Sequence, residues 1–202
     1  FPFCNLHSVL RYLNQKNYSY EITSDNCDFS ENDTIFLPGV GTFEQGMNYL
    51  EEIKIKSKII DHFNKGGKII AICLGMQLLL DSSEESNGIK GLGLIKGTCS
   101  KIPESDEFTV PHIGWNSISC KGLKNNIFAS LLSKDGEINS DFYFVHSYHC
   151  APEDPLITSS VVDNGQFKIA ASLEYKNTYA FQFHPEKSGK IGYSLLDLVI
   201  KI

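Results

Sequence analysis

The sequence predicts an α/β protein with a central, mostly parallel sheet flanked by helices and an added layer of antiparallel strands. Three observations lead to this class. Strand-like and helix-like apolar patterns alternate before position 80, which is typical of strand–helix–strand units and a parallel sheet. A run of β-branched residues ends at Cys73 and changes at once to residues that favour helix. After position 141, strands follow one another without intervening helices, which predicts antiparallel pairing.

Length and composition are those of a soluble globular domain. The chain has 202 residues, enough to bury one full core, so we expect a single domain over residues 1–202. It contains no uninterrupted apolar run of 18 residues, so a membrane span is not predicted. The formal net charge of −6 argues against a nucleic-acid partner, because phosphate binding requires a basic excess.

The cysteines indicate neither a disulfide framework nor a metal site. The six are scattered, with no Cys-x-x-Cys pair and no Cys/His cluster at zinc-ligand spacing. His146 and His149 are three residues apart, so on one strand they would point to opposite faces. We therefore expect no metal, no cofactor and a reducing, cytoplasmic compartment. The cysteines are at positions 4, 27, 73, 99, 120 and 150.

The first element is a helix, since the apolar residues at positions 6, 9, 10 and 13 have helical spacing. An α/β chain normally begins with a strand. We therefore expect the N-terminal strand to be incomplete in this numbering.

Two strands and an interrupted helix lead to Cys73. A short strand is predicted at residues 21–23 and a stronger one at 33–37. The helical pattern of residues 43–64 is interrupted near 53–55 and ends at a Gly-Gly pair. The strand that ends at Cys73 follows directly.

Beyond the helix after Cys73, short strands dominate until a final amphipathic helix. The predicted elements are a glycine-bracketed strand at 91–97, a compact loop at 111–116 leading to residues 117–120, a helical patch at 124–132, strands at 142–148, 168–173 and 178–183, and a helix at 189–201.

Cys73 is the first candidate catalytic residue. With Ala71 and Gly75 it forms a small-x-Cys-x-Gly pattern, the cysteine counterpart of the nucleophile elbow, whose small neighbours permit a strained turn from strand to helix. Amides at the start of the following helix favour a thiolate and can receive an oxyanion. A buried structural cysteine is the alternative.

The turn that contains Gly39, Val40 and Gly41 is the second candidate. Two glycines around one residue permit backbone conformations that aim amides into a cleft. An amide near Gly39 and Val40 could complete an oxyanion hole with the amide of Leu74. A plain strand-to-helix turn is the alternative.

The third candidate is the pair His184 and Glu186 at the end of an aromatic strand. A cysteine nucleophile requires a base, and the base requires an acceptor that orients its far nitrogen. Pro185 fixes the bend so that Glu186 can turn back beneath the imidazole. A solvated turn is the alternative.

In this order and spacing, the three segments resemble the class I (triad) glutamine amidotransferases. Four further segments resemble, within that family, the glutaminase subunits that serve a cyclase of histidine biosynthesis. The similarity runs from residue 5 to about residue 200. The four segments are residues 83–88, 111–116, 143–148 and 184–188.

The resemblance implies roles residue by residue. It makes Cys73 the nucleophile, His184 the general base and acid, and Glu186 its orienting partner. Its substrate-binding groups are the side chains of Gln77 and Glu85 and the main chains of Gly41, Ser147 and Tyr148. Its partner-facing residues are Trp115, Asn116, Tyr143 and Lys187. A core position is the alternative for Trp115.

The resemblance also implies an activity and a partner. The activity is hydrolysis of L-glutamine, and the partner is a (β/α)8-barrel cyclase subunit that forms a heterodimer and receives the ammonia. The chain departs from the family in Phe3 and Cys4, where a glycine-containing strand end is usual, and in Ala71, where glycine is common. The alternatives are a glutaminase subunit that serves another acceptor such as a surface sugar, a non-catalytic binding subunit and a free-standing peptidase.

Overall fold

The structure, a computed structural model, describes residues 6–23, 28–104, 109–120, 127–131, 138, 140–163 and 166–202. The α-helices are α1 (Leu6–Gln15), α2 (Phe43–Glu52), α3 (Lys56–Asn64), α4 (Leu74–Leu78) and α5 (Gly189–Lys201). The strands are β1 (Thr34–Gly39), β2 (Lys68–Cys73), β3 (Ser82–Ser83), β4 (Gly97–Lys101), β5 (His112–Ser117), β6 (Asp141–His146), β7 (Tyr148–Pro152), β8 (Thr158–Asp163), β9 (Lys168–Tyr175) and β10 (Thr178–Phe181).

The central sheet has the strand order β1-β2-β10-β9-β8. The pairs β1–β2 and β2–β10 are parallel, whereas β10–β9 and β9–β8 are antiparallel. The antiparallel strands therefore finish the same sheet that the strand–helix units begin. The predicted α/β class is confirmed.

Strand β2 lies between β1 and β10, and its side chains alternate between two cores. Ile69 and Ala71 pack into one cluster with residues of α2, α3 and α4. Ile70 and Ile72 pack into the other with residues of α1 and α5. A strand covered on both faces has no polar face to present, which explains its continuous apolar run.

Two smaller sheets complete the described fold. One has the order β3-β4-β7, and the other is the antiparallel pair β5–β6. In the second, His112 is the partner of His146 and Trp115 is the partner of Tyr143. This pair of strands brings the only tryptophan and two histidines next to the end of the central sheet.

The predicted strand at 91–97 is wrong, because the strand begins only at Gly97. The preceding residues instead cap the end of α4: the Leu92 amide donates to the Leu78 carbonyl at 2.8 Å, and the Leu94 amide to the Leu79 carbonyl at 2.9 Å. Helices leave their last carbonyls without internal partners, and this segment supplies the donors.

The predicted strand at 21–23 and loop at 111–116 are also wrong. Residues 21–23 belong to no strand, and Ile22 is 52% exposed, so its apolar character is not used in the core. The supposed loop is strand β5. Its inward residue at the start is the polar His112, which hides the alternation that normally reveals a half-buried strand.

Other differences are smaller. The predicted strand at 142–148 divides into β6 and β7 at a bend at Ser147, and Ser119 forms only an isolated bridge. Strand β8 was not predicted, because serines occupy buried positions in it. Ser159 and Ser160 are fully buried and hydrogen-bond to Ser172 of β9. Part of the patch at 124–132 lies outside the described residues, as do Phe3, Cys4 and Cys27; its described part contains a 3₁₀ turn, Ala129–Leu131.

Candidate active site

Cys73 occupies the strained turn that the sequence predicts. It is the last residue of β2 and directly precedes α4, with φ 54° and ψ −110°. A positive φ is unusual for a residue with a side chain and points to a functional constraint. A Cβ at Gly75 would lie 1.7 Å from the Leu37 carbonyl oxygen, so only glycine permits α4 to start this close to β1.

The candidate oxyanion segment lies beside this turn. Gly39 is the register partner of Cys73 across the parallel pair β1–β2. A Cβ at Gly39 would come within 3.0 Å of Leu74 Cβ, so the missing side chain brings the two backbones together. The main chains of Gly39, Val40 and Leu74 therefore meet at one end of the sheet, and their role as an oxyanion hole stays a prediction.

His184 and Glu186 form a buried, hydrogen-bonded pair. The distance from His184 Nδ1 to Glu186 Oε1 is 2.7 Å, and the two residues are 1% and 5% exposed. Pro185 begins the short 3₁₀ turn that returns Glu186 to the imidazole. On the other side of the ring, His184 Nε2 is buried without a hydrogen-bond partner among the described residues. The alternative of a solvated turn is wrong.

The pKa of His184 reflects this environment. Burial by itself lowers the pKa of the imidazole, but the interactions with Cys73 and Glu186 outweigh burial and raise the pKa to about 9. The structure thus brings Cys73, His184 and Glu186 together. A cysteine sulfur, an imidazole and an orienting carboxylate are the groups that acyl transfer through a thioester requires.

The sulfur of Cys73 has two further polar neighbours. Its thiol lies 3.8 Å from the Val145 carbonyl oxygen, to which it can donate. The Gln182 amide donates to the sulfur, also at 3.8 Å.

Two predicted substrate-binding residues contact each other. Gln77 Nε2 donates to the Tyr148 carbonyl at 3.0 Å and to Gln182 Oε1 at 3.3 Å. Ser147 lies at the bend between β6 and β7, where its carbonyl accepts from the Ile102 amide at 3.0 Å. Gln77, Ser147 and Tyr148 therefore line one side of the region around Cys73.

Glu85 contacts the start of α2, two residues after Gly41. The Phe43 amide donates to Glu85 Oε2 at 2.7 Å, and the Glu44 amide to Ser86 Oγ at 3.1 Å. Gly41 has φ 107°, a conformation that favours glycine. The carboxylate expected to bind an ammonium thus also neutralises a helix N-terminus.

The predicted partner-facing residues form a group next to the His184 turn. Trp115 is 56% exposed, so the alternative of a core tryptophan is wrong. The ring centroids of Trp115 and Tyr143 are 5.7 Å apart, and Lys187 Nζ lies 5.5 Å from the Tyr143 ring centroid. The Tyr143 carbonyl accepts from the His184 amide at 2.9 Å. Asn116 differs, because its side chain contacts His112.

Gln182, His112 and His146 were missed from the sequence. Gln182 could have been found, because it lies two residues before His184 and alternate residues of a strand share a face. The β2–β10 register pairs Phe181 with Ile72 and so brings Gln182 beside Cys73. No sequence pattern indicates that His112 and His146 contact each other, since their contact depends on the pairing of β5 with β6.

Neither a disulfide nor a metal-binding cluster occurs in the described part of the chain. Cys99 and Cys150 are buried cross-strand partners with sulfurs 3.9 Å apart, and burial raises the pKa of the Cys150 thiol.

None of the described helices has the length and apolar character needed to cross a membrane.

A cysteine on a strand-to-helix elbow, beside a buried His–Glu pair, defines a class of thiol-dependent acyl-transfer site. The profile of the family described as "Glutamine amidotransferase class-I" matches residues 4–198. The chain therefore belongs to the class-I glutamine amidotransferase family, and the resemblance inferred from the sequence is confirmed.

Individual relatives narrow the resemblance further. The chain is 42% identical over 199 residues to "Imidazole glycerol phosphate synthase subunit HisH" of Pyrococcus furiosus, covering 95% of this chain and 91% of the relative. It is 38% identical over 197 residues to the HisH subunit of Prochlorococcus marinus, covering 98% and 93%. The solved "Structure of PurLQS from Thermotoga maritima" contains a chain with TM-score 0.72 at 18% identity, covering 100% of this chain and 94% of that one, which shows the fold alone.

Proposed function

We propose that this chain is the glutaminase subunit of an imidazole glycerol phosphate synthase. It hydrolyses L-glutamine to glutamate and ammonia and delivers the ammonia to a (β/α)8-barrel cyclase subunit, with which it forms a heterodimer in histidine biosynthesis. The observation that carries the proposal is the position of Cys73 on its elbow beside the His184–Glu186 pair. The HisH relatives support the choice of pathway and partner.

In the first half of the reaction, the Cys73 thiolate attacks the side-chain amide carbon of glutamine. The main-chain amides near Val40 and Leu74 hold the oxyanion. His184, whose pKa is raised to about 9, carries the proton that the departing ammonia requires. A γ-glutamyl thioester on Cys73 remains.

In the second half, His184 has given up its proton and acts as a base. It removes a proton from water, and the resulting hydroxide attacks the thioester carbonyl. The carbon–sulfur bond breaks, glutamate leaves and the thiolate is restored. Glu186 stays hydrogen-bonded to Nδ1 and keeps Nε2 directed toward the reacting atoms.

The remaining predicted residues hold the substrate. Gln77 and the main chains of Ser147 and Tyr148 lie on one side of Cys73, and Glu85 contacts the start of α2, close in sequence to Gly41. The Glu85 carboxylate pairs with the α-ammonium of glutamine. This arrangement selects a substrate that carries both an amide and an amino-acid head group.

The cyclase docks on the face formed by Trp115, Asn116, Tyr143 and Lys187. The isolated chain is nearly inactive, because an amide near Val40 points away from the oxyanion until docking shifts the population. Tyr143 supports such coupling, since its ring lies in the exposed group and its carbonyl contacts the His184 amide.

The experiment compares glutamine hydrolysis by the isolated chain with hydrolysis by the chain mixed with its cyclase barrel. The proposal predicts little activity alone, strong stimulation by the barrel, and glutamine-dependent formation of imidazole glycerol phosphate. Equal turnover without the barrel indicates a free-standing hydrolase. Absence of turnover in both mixtures indicates a binding subunit, and stimulation without the imidazole product indicates another acceptor.

A further inference from the structure

Two buried histidines outside the Cys73–His184–Glu186 group contact each other. His112 Nδ1 lies 3.0 Å from His146 Nε2, and the residues are 5% and 7% exposed. At the far side of the pair, His146 Nδ1 lies 2.8 Å from the Tyr148 carbonyl oxygen. At the near side, His112 Nε2 lies 2.8 Å from Asn116 Oδ1. These four groups form one continuous series of hydrogen bonds, called here the hydrogen-bond series, which starts beside the exposed Trp115.

The hydrogen-bond series continues to the sulfur of Cys73. The Tyr148 carbonyl also accepts from Gln77 Nε2, whose second hydrogen is directed at Gln182 Oε1. The Gln182 amide nitrogen then donates to Cys73 Sγ. An unbroken series of polar contacts therefore connects strand β5 with the nucleophile.

The Tyr148 carbonyl sets the direction of the inner contacts, because a carbonyl oxygen only accepts. Gln77 must present its NH2 group to it, which leaves an N–H for the oxygen of Gln182. Gln182 must then present its own NH2 group to the sulfur. A reversed Gln77 amide would set two oxygens against each other at Tyr148 and turn the Gln182 amide around.

The same carbonyl sets the protons of the histidines. His146 Nδ1 must carry a proton, so in a neutral pair His146 Nε2 accepts from His112 Nδ1. His112 Nε2 then carries no proton, so it accepts a hydrogen bond and requires a donor. The two ends of a primary amide have nearly the same shape, so turning the Asn116 amide over supplies that donor. With Oδ1 inward instead, the pair requires one additional proton.

Burial decides between these two states. It lowers the pKa of His112, and it lowers the pKa of His146 to about 3. Both imidazoles are therefore neutral near pH 7, a state in which the Asn116 amide is turned over so that its Nδ2, rather than Oδ1, faces His112 Nε2. His112 also stacks on Phe144, with ring centroids 4.8 Å apart.

We propose that His112 and His146 are positioning residues for glutamine hydrolysis. Together with Asn116 they fix the Tyr148 carbonyl, which orients the Gln77 amide and, through it, the Gln182 amide that donates to Cys73. The kinetic consequence rests on the proposed function. The hydrogen-bonding state of the histidines does not, so the two are tested separately.

A matched pair of variants isolates the contact to Tyr148. In His146→Asn the side-chain Nδ2 replaces ring Nδ1 and keeps the donor to Tyr148, whereas in His146→Gln the side-chain oxygen replaces ring Nε2 and keeps only the contact to His112. We expect kcat/KM for glutamine, measured in the cyclase complex, to fall about tenfold or more in His146→Gln. His146→Asn should retain several times more activity than His146→Gln. Ammonia-dependent synthesis by the same complexes reports folding and assembly.

Phe144→Leu is the packing control, because it replaces the ring stacked on His112 by a smaller apolar side chain and removes no hydrogen bond of the hydrogen-bond series. It should change kcat/KM less than threefold. The proposal is overturned if His146→Asn is no better than His146→Gln, or if His146→Gln matches the unmodified complex. It is also overturned if Phe144→Leu loses as much activity as His146→Gln.

Nitrogen-15 NMR of the imidazoles in the whole chain tests the hydrogen bonds without any assay of activity. We expect both histidines to be neutral near pH 7, with the proton on Nδ1, and His146 to stay neutral from pH 8 to pH 5. Asn116→Asp presents a group that only accepts, so it should make the pair take up a proton near neutral pH. A proton on His146 Nε2 at pH 7 in the unmodified chain contradicts the proposal. If the protein shows these NMR signals but never hydrolyses glutamine, the proposed function is wrong and the inferred hydrogen-bond series still stands.

Discussion

Gly39 and Cys73 are register partners at the carboxyl ends of the parallel strands β1 and β2. Gly39 begins the turn whose amides are proposed to hold the oxyanion, and Cys73 is the proposed nucleophile. Parallel strands deliver their carboxyl ends to one edge, where active groups of α/β sheets collect. The proposed chemistry therefore depends on how closely β1, β2 and α4 approach each other.

The first prediction tests that approach. Gly75→Ala should destabilise the chain by about 3 kcal/mol or more, because a Cβ at Gly75 would lie 1.7 Å from a backbone oxygen of Leu37 that cannot move freely. Gly46→Ala is the control. Its Cβ would meet the end of the Leu78 side chain at 2.9 Å, and alanine favours the helix, so the change should stay within about 1 kcal/mol. Urea unfolding of both variants measures the difference, and equal stabilities would contradict the prediction.

The second prediction concerns the base. His184→Ala should lower the glutaminase rate of the cyclase complex by several orders of magnitude, because members of a catalytic unit act together. Ammonia-dependent synthesis in the same preparation should be nearly unchanged. A loss below about tenfold is less than general acid–base catalysis contributes and would count against His184 as the base.

The third prediction follows from the raised pKa of His184. Interactions with Cys73 and Glu186 outweigh burial and raise this pKa from 6.5 to about 9, so the folded chain binds more protons than the unfolded chain between these values. The stabilisation is fully present below pH 6.5 and is lost as the pH rises through 9. It amounts to at most about 3 kcal/mol, since one pKa unit corresponds to about 1.4 kcal/mol.

The measurement is the free energy of unfolding of the unmodified chain minus that of His184→Gln, followed from pH 6 to pH 10. The variant has no titrating group at this position, so the difference isolates the imidazole. It should be constant below about pH 6.5, shrink between pH 6.5 and 9, and level off above pH 9. A difference that does not depend on pH would show that His184 does not gain a proton on folding.

The fourth prediction concerns the partner surface. Trp115→Ala should weaken binding to the cyclase about tenfold or more, or uncouple hydrolysis from synthesis, because exposed aromatic anchors often dominate interfaces. The chain should stay folded by circular dichroism, since Trp115 is 56% exposed. Leu156→Ala is a control at a residue with 55% exposure in another segment, the 3₁₀ turn Pro155–Ile157. A folded Trp115→Ala with unchanged affinity and unchanged stimulation would refute the assignment.

The sequence predicted most of the features that depend on neighbouring residues. The elbow at Cys73 and the bend from His184 to Glu186 are local, because each is determined by small residues or proline within a few positions. Strand β2 was visible because both its faces are buried, and α5 because its apolar residues keep helical spacing.

Features that depend on distant partners were not predicted. The sequence predicts a loop at β5 because the inward His112 is polar, and one of the partners of that buried side chain is His146, 34 positions away in sequence. The serines of β8 likewise depend on Ser172. The segment before Gly97 looked like a strand, but its amides serve the end of α4. In each case a polar group is buried because a remote group satisfies it.

The central claim is that Cys73 generates ammonia from glutamine for a separate synthase site. Its most direct test is Cys73→Ala in the cyclase complex, assayed with glutamine and with ammonium salts as alternative nitrogen sources. We predict that glutamine hydrolysis and glutamine-dependent synthesis disappear while ammonia-dependent synthesis is nearly unchanged, because only the ammonia source is lost. Glutamine hydrolysis that survives the substitution would contradict the assignment of Cys73 as the nucleophile.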